Sequence, residues 1–172
     1  MQSYNWGVIG PGNIANTFAK AIASSTKGKI LAVASRSKER AANFSSTYKI
    51  EKTYLDYEQM LTDPEIDIIY IATPHNFHYQ QAMMCLEAGK HVLVEKPCTV
   101  NAKQMKMLVQ VAQRKKLLLQ EALWSRFMPC LSQLKQLLNY GIIGDIQYIQ
   151  SERGFAFQHS KMSRLFKTEL PG

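Results

Sequence analysis

This 172-residue sequence predicts an α/β fold, a doubly wound parallel sheet with helices on both faces. Three observations carry that expectation. Apolar runs of strand length alternate with segments of helical period as far as residue 121, the order in which helices cross over a parallel sheet. The most apolar run, Ile66 to Ala72, shows no polar alternation beyond Asp67, as befits a strand covered on both faces. The first run ends in Gly10-Pro11-Gly12-Asn13-Ile14-Ala15, a glycine-rich turn placed between a strand and a helix.

Taken in order, Asn5 to Ile9 forms the first strand, and a helix follows over 13–24 with Ile14, Phe18, Ala21 and Ile22 on one face. Residues 29–35 read as the second strand and 38–48 as its helix. A short strand over 51–54 and a short helix over 57–61 precede Asp63-Pro64. The strand over 66–72 leads to a helix over 77–88, stopped by Gly89 as a C-terminal cap. Strand 91–95, helix 102–115 and strand 117–121 complete the pattern. Right-handed crossovers make this a Rossmann-type domain over 1–122.

Residues 123–172 are expected to begin a second, α+β domain that stays incomplete. A loop over 124–129, a helix over 130–140, a turn over 141–144 and a strand over 145–153 are predicted, with Ile146 and Tyr148 sharing a strand face. The segment 158–172 is polar and basic and shows no further element. A lone strand cannot bury a face, and an exposed edge there would favour self-association.

Composition narrows the function classes. With 46% hydrophobic and 20% charged residues, the chain reads as an ordinary globular protein. The first strand begins too early to leave room for a signal peptide, and no apolar run is long enough to span a bilayer, so a cytoplasmic location is expected. Cys85, Cys98 and Cys130 lack metal or redox spacing and read as reduced thiols. The net charge of +8 is spread over several segments, with no aromatic-interleaved basic stripe. It is read as solvated surface, not as a nucleic-acid interface.

The glycine-rich turn fits a dinucleotide pyrophosphate. Gly10 allows the tight turn, Gly12 lets backbone approach the phosphates, and the helix start at Asn13 and Ile14 offers free N–H groups. A carboxylate commonly ends the second strand in NAD-binding domains, where it holds the ribose hydroxyls. Here that strand ends Ala34-Ser35-Arg36-Ser37, with Lys38 and Arg40 close behind. A guanidinium pairs with a 2′-phosphate through two parallel N–H groups, so NADP is expected in preference to NAD.

Three further segments carry more specific information. Tyr70-Ile71-Ala72-Thr73-Pro74-His75-Asn76-Phe77-His78 closes the buried strand, Glu87-Ala88-Gly89-Lys90-His91-Val92-Leu93-Val94-Glu95-Lys96-Pro97 closes the next, and Glu121-Ala122-Leu123-Trp124-Ser125-Arg126-Phe127 follows the last. Together with the N-terminal loop they resemble the glucose–fructose oxidoreductase/inositol dehydrogenase (Gfo/Idh/MocA) family, nearest to its NADP-dependent dihydrodiol and D-xylose dehydrogenase branch. The resemblance implies an oxidoreductase that moves hydride between nicotinamide and a hydroxyl of a sugar or cyclic diol. It implies that Lys96 holds the reacting oxygen, that Glu95 places Lys96 and the nicotinamide, and that the Lys96–Pro97 peptide is often cis. Thr73, Pro74, His75 and His78 would lie beside the cofactor, although either histidine could be structural. Trp124 and Arg126 would line the substrate pocket, with interdomain packing as the other reading of Trp124.

Relatives run to roughly twice this length and carry their acid/base tyrosine or histidine on a later helix, with a sheet that forms a homo-oligomer interface. No residue here occupies a matching position. Cofactor binding with poor turnover is therefore expected, and a non-catalytic NADP-binding sensor stands as the alternative.

Overall fold

The computed structural model describes residues 3–152 and Gly154. The basic segment expected over 158–172, and Arg153 at the end of the expected last strand, lie outside the described residues.

Six strands, β1 (Tyr4–Ile9), β2 (Gly28–Ala34), β3 (Lys52–Tyr54), β4 (Ile68–Ile71), β5 (His91–Val94) and β6 (Leu119–Glu121), form one sheet in the order β3-β2-β1-β4-β5-β6. Every pairing is parallel. The helices are α1 (Asn13–Ala23), α2 (Lys38–Tyr48), α3 (Tyr57–Leu61), α4 (His78–Glu87), α5 (Ala102–Lys115) and α6 (Pro129–Asn139). Strand order reverses between β1 and β4, which makes the crevice beyond their C-terminal ends the place where such sheets take ligands.

The alternation of side chains along each strand divides the interior into two cores. Ile9, Ile69, Ile71, Val92 and Val94 face one side and pack with Met60, Ala82, Leu86 and Leu108 from α3, α4 and α5. Val8, Val33 and Tyr70 face the other and pack with Ala15, Ala19 and Phe44 from α1 and α2. Both faces of the central strands are thus covered, which is why their sequences lack a polar period.

Three of the six α-helix starts among the described residues are closed by a side chain. Ser37 Oγ accepts from the Arg40 N–H at 3.3 Å, Asp56 Oδ1 from Glu58 at 2.8 Å, and Asn101 Oδ1 from Gln104 at 2.9 Å. The connection between α3 and β4 is pinned by Asp63, whose carboxylate accepts from Lys52 Nζ at 2.7 Å, Tyr54 Oη at 2.8 Å and the Glu65 N–H at 3.0 Å. The buried Lys90 ammonium donates to the carbonyls of Asp63 and Ile66, a pairing that makes its burial tolerable.

Several boundaries differ from the sequence expectation; β4, expected over 66–72, is the shorter Ile68–Ile71, and β6 begins at Leu119 instead of 117. His75–Phe77 form a 3-10 turn, so α4 starts at His78. Residues Trp124–Phe127 form a second 3-10 turn where a loop was expected, and Pro129 opens α6 one residue early, a position where a missing N–H costs nothing. The strand expected over 145–153 does not form among the described residues, because no neighbouring strand is there to satisfy its backbone groups.

Compact structure falls into two units that divide between Ala122 and Leu123. In the second, α6 carries Leu131, Leu134 and Leu137 exposed on one flank, and none of its residues is buried.

Candidate active site

The candidate residues of the first unit follow the C-terminal ends of β1, β2, β4 and β5. Gly10 adopts φ +84°, and a Cβ there would meet Thr73 Cγ2 at 2.7 Å and the Thr73 nitrogen at 3.1 Å. Only glycine suits that combination of conformation and close approach. Gly12 is different: its φ of −114° is ordinary, and a Cβ on it would meet nothing within 4 Å. The open space above Gly12 coincides with the one long helix start in the sheet domain that follows an extended residue and has no side-chain cap, that of α1. Unpartnered N–H groups at Asn13 and Ile14, beside an open glycine, form a cradle shaped for an anion. Ala15 beneath them is fully buried.

Cationic groups gather one strand away. Ser35 is buried at the end of β2, and its Oγ accepts from the Ser37 N–H at 3.1 Å. This small turn projects Arg36 into solvent, with its guanidinium 5.2 Å above the ring of Phe77. Lys38 and Arg40 are exposed on the first turn of α2. Arg40 also lines a cavity of about 230 Å3 with Pro11, Asn16, Asn43, Phe44 and Thr47, adjoining the glycine loop. The residues present fit a dinucleotide: an uncapped helix start, an open glycine, and cationic side chains beyond the end of β2.

On the β4 and β5 side, Tyr70 Oη donates to Glu95 Oε1 at 2.8 Å, and Glu95 Oε2 accepts from the Lys96 N–H at 3.3 Å. Tyr70 is sandwiched against Phe18 at 4.0 Å between ring centroids. Burial first, and then its bond to the Glu95 carboxylate, raise the Tyr70 phenol far above its ordinary range, so it stays a donor. Glu95 is thus held from both sides, and the Lys96–Pro97 peptide that follows is cis. Lys96 is exposed, and its ammonium makes no hydrogen bond or ion pair among the described residues.

Thr73 Oγ1 donates to Gln81 Oε1 at 2.5 Å. Pro74 and His75 are half-buried next to it, and Asn76 Oδ1 is a buried acceptor with no partner among the described residues. His78 is more enclosed than the loop residues before it. It is 1% exposed, and its Nε2 and Nδ1 lie 2.8 Å from the carbonyl oxygens of Thr73 and Pro97. A ring enclosed in this way has no free nitrogen for a cofactor; it holds backbone instead.

Sequence reasoning gave no site role to Tyr70, Phe77 or Gln81. A phenol in an otherwise aliphatic strand and a glutamine on a buried helix face were the available signals. In the second unit, Trp124 is 60% exposed and Arg126 is also exposed on its 3-10 turn. Among the described residues no group of three or more His, Cys, Asp or Glu gathers to hold a metal ion, and no helix is long and apolar enough to cross a membrane.

Known proteins are similar to this chain in sequence and in fold. Trans-1,2-dihydrobenzene-1,2-diol dehydrogenase of Mus musculus is 40% identical over 92% of this chain and 48% of its own length. D-xylose 1-dehydrogenase (NADP(+)) of Hypocrea jecorina is 37% identical over 97% of this chain and 48% of its own length. A crystal structure of KijD10, a 3-ketoreductase from Actinomadura kijaniata in complex with TDP-benzene and NADP, superimposes with a TM-score of 0.77 at 32% identity, over 85% of this chain and 46% of that one. The chain spans about half the length of the curated relatives it matches. The model of the GFO_IDH_MocA oxidoreductase family, NAD-binding Rossmann fold, matches residues 4–123, and the chain belongs to that family.

Proposed function

We propose that this chain supplies the NADP(H)-binding half of a dehydrogenase acting on a hydroxyl-bearing carbon of a sugar or cyclic diol. The observation that carries the reading is the cradle at Gly12, open to any approaching group and roofed by uncapped N–H groups of α1. The name of the D-xylose relative, and the NADP held by the 3-ketoreductase, support the phosphorylated form of the cofactor.

When bound, the dinucleotide supplies a carbon that accepts or donates hydride. The chain's own residues do the rest. Backbone N–H groups at Asn13 and Ile14 bind the pyrophosphate, while Arg36, with Ser35, Lys38 and Arg40 around it, takes the ribose phosphate. Thr73, Pro74 and His75 wall the crevice. Lys96 directs an unpartnered ammonium at the substrate oxygen, where negative charge grows as the hydroxyl proton leaves in oxidation, or as hydride arrives at the carbonyl carbon in reduction. Glu95, braced by Tyr70, fixes the backbone from which Lys96 extends. Trp124 and Arg126 offer an indole and a guanidinium to a polyhydroxylated ring. The same reading makes the complete protein a cytoplasmic homo-oligomer.

Fluorescence titration with NADPH and NADH tests the reading. The chain should bind NADPH more tightly, and Arg36→Asp should weaken NADPH binding roughly ten- to a hundredfold, the worth of a hydrogen bond to a charged group. Unaltered NADPH affinity in that variant would remove the basis for the cofactor preference.

A further inference from the structure

The first turn of α4 carries two buried polar side chains, His78 at 1% and Gln81 at 8% exposure. Buried polar groups persist where they are bonded, and both of these are spent on the loops that follow β4 and β5. The His78 ring stands between two carbonyl oxygens, with Nε2 2.8 Å from Thr73 O and Nδ1 2.8 Å from Pro97 O. Gln81 Oε1 takes the Thr73 hydroxyl hydrogen. Thr73 itself lies so close to Gly10 that a Cβ would collide with it.

The last backbone bond between the two loops' parent strands runs from the Glu95 N–H to Ile71 O. Beyond it, among the described residues, the polar contacts joining the loop of Thr73 to the turn of Lys96 pass through His78 alone: a ring with both N–H groups donates to both carbonyls, and either neutral tautomer donates to one of them. One ring therefore connects the wall of the phosphate loop to the backbone that aims the lysine. A side chain one ångström out of place is enough to spoil a catalytic arrangement, so such a tie has value beyond packing.

We propose that His78 is a positioning residue. It holds the Lys96–Pro97 turn at a fixed distance from the Thr73 loop, so that a nucleotide seated against Gly10 and Thr73 also sets where the Lys96 ammonium stands. The inference rests on the cofactor reading above.

Two conservative variants separate the arms of the tie. In His78→Gln the amide nitrogen replaces Nε2 and keeps the bond to Thr73; in His78→Asn it replaces Nδ1 and keeps the bond to Pro97. The readouts are the NADPH dissociation constant and the rate at which an N-hydroxysuccinimide ester acylates Lys96, mapped by mass spectrometry with and without saturating NADPH. In the wild-type chain NADPH slows that acylation. His78→Gln retains most NADPH affinity but loses protection of Lys96 by roughly three- to tenfold, the effect of one buried hydrogen bond. His78→Asn shows the reverse pattern. Full Lys96 protection in His78→Gln, or equal loss in both variants, overturns the assignment.

A measurement on the unmutated chain covers the case in which the variants do not fold. NADPH should slow amide hydrogen exchange at residues 73–78 and at 96–98 together, and slowing at the first segment alone overturns the proposal. If the wild-type chain binds no NADPH, the cofactor reading itself has failed. If it binds and only the His78 effects are missing, that reading stands and the tie does not.

Discussion

The two glycines of the phosphate loop should respond to alanine in opposite ways. At Gly10 a methyl group must occupy a backbone at φ +84° and sit 2.7 Å from Thr73 Cγ2, with backbone atoms of Ala72 and Thr73 at 3.2 and 3.1 Å. The left-handed conformation costs about 1–2 kcal/mol for a residue with a Cβ, and crowding against backbone that cannot move aside adds about 1–3 kcal/mol. Gly10→Ala should therefore lose about 2–5 kcal/mol of stability, read as a fall of roughly 4–20 °C in melting temperature. At Gly12 the backbone is extended, at φ −114°, and the space around a new Cβ is empty. Gly12→Ala should melt within about 0.5 kcal/mol of the wild type. Its methyl group nevertheless projects into the space from which the pyrophosphate must approach. NADPH at a hundred times its dissociation constant should stabilise the wild-type chain by about 2.7 kcal/mol, and Gly12→Ala should lose most of that gain. Differential scanning fluorimetry with and without NADPH measures both effects on the same samples. A Gly12→Ala protein that keeps the full ligand shift would refute the cradle, and a Gly10→Ala protein with wild-type melting would refute the geometry of the turn.

Acid should act through Asp63. The hydrogen bond from Lys52, the largest cause, with those from Glu65 and Tyr54, holds its carboxyl down to about 2 from an ordinary 3.8. A lowered folded-state value means that the stabilisation is present above pH 4 and is lost as the pH falls from about 4 towards 2. Asp63→Asn should cost about 2 kcal/mol at pH 7, after discounting the partly exposed Lys52, and the difference from wild type should shrink in urea titrations below pH 4; a constant gap would count against the pairing. The thiols should divide by burial. Cys130 is exposed, whereas Cys85 and Cys98 are buried, and desolvation pushes the Cys98 thiol up to about 11 and the Cys85 thiol higher still. One thiol should react quickly with Ellman's reagent in the native chain at pH 8 and three in denaturant, since thiolate is the reactive form; a second fast native thiol would contradict the packing around α4 and β5.

What was legible in the sequence follows from which interactions are local. Continuous apolar runs within β1, β2 and β4, and the 3.6-residue period of α1 and α5, record burial against the sheet, so those elements could be read one at a time. The Gly10 and Gly12 pattern was equally legible, because a turn's backbone requirement is written in the residues that make it. The strand over 145–153 misled because its alternation describes a face that needs neighbouring strands, and a period of two says nothing about whether they are there.

His78 shows a different limit. Its place in the motif Thr73-Pro74-His75-Asn76-Phe77-His78 led to the expectation that it would lie beside a cofactor, with a structural role as the other reading. Its chemistry was set by Pro97, nineteen residues away, a neighbour supplied only when β5 pairs with β4 in parallel register. A histidine's role depends on what faces each of its two nitrogens, and no spacing within one segment can state that. The same holds for Glu95. Its carboxylate is oriented by a phenol from the adjacent strand, twenty-five residues earlier, so the lysine next to it is aimed by contacts that exist only after the sheet has formed. In this fold the residues that meet a ligand lie in short loops and are readable as motifs, while the residues that aim them lie across strands and become visible only with the sheet order.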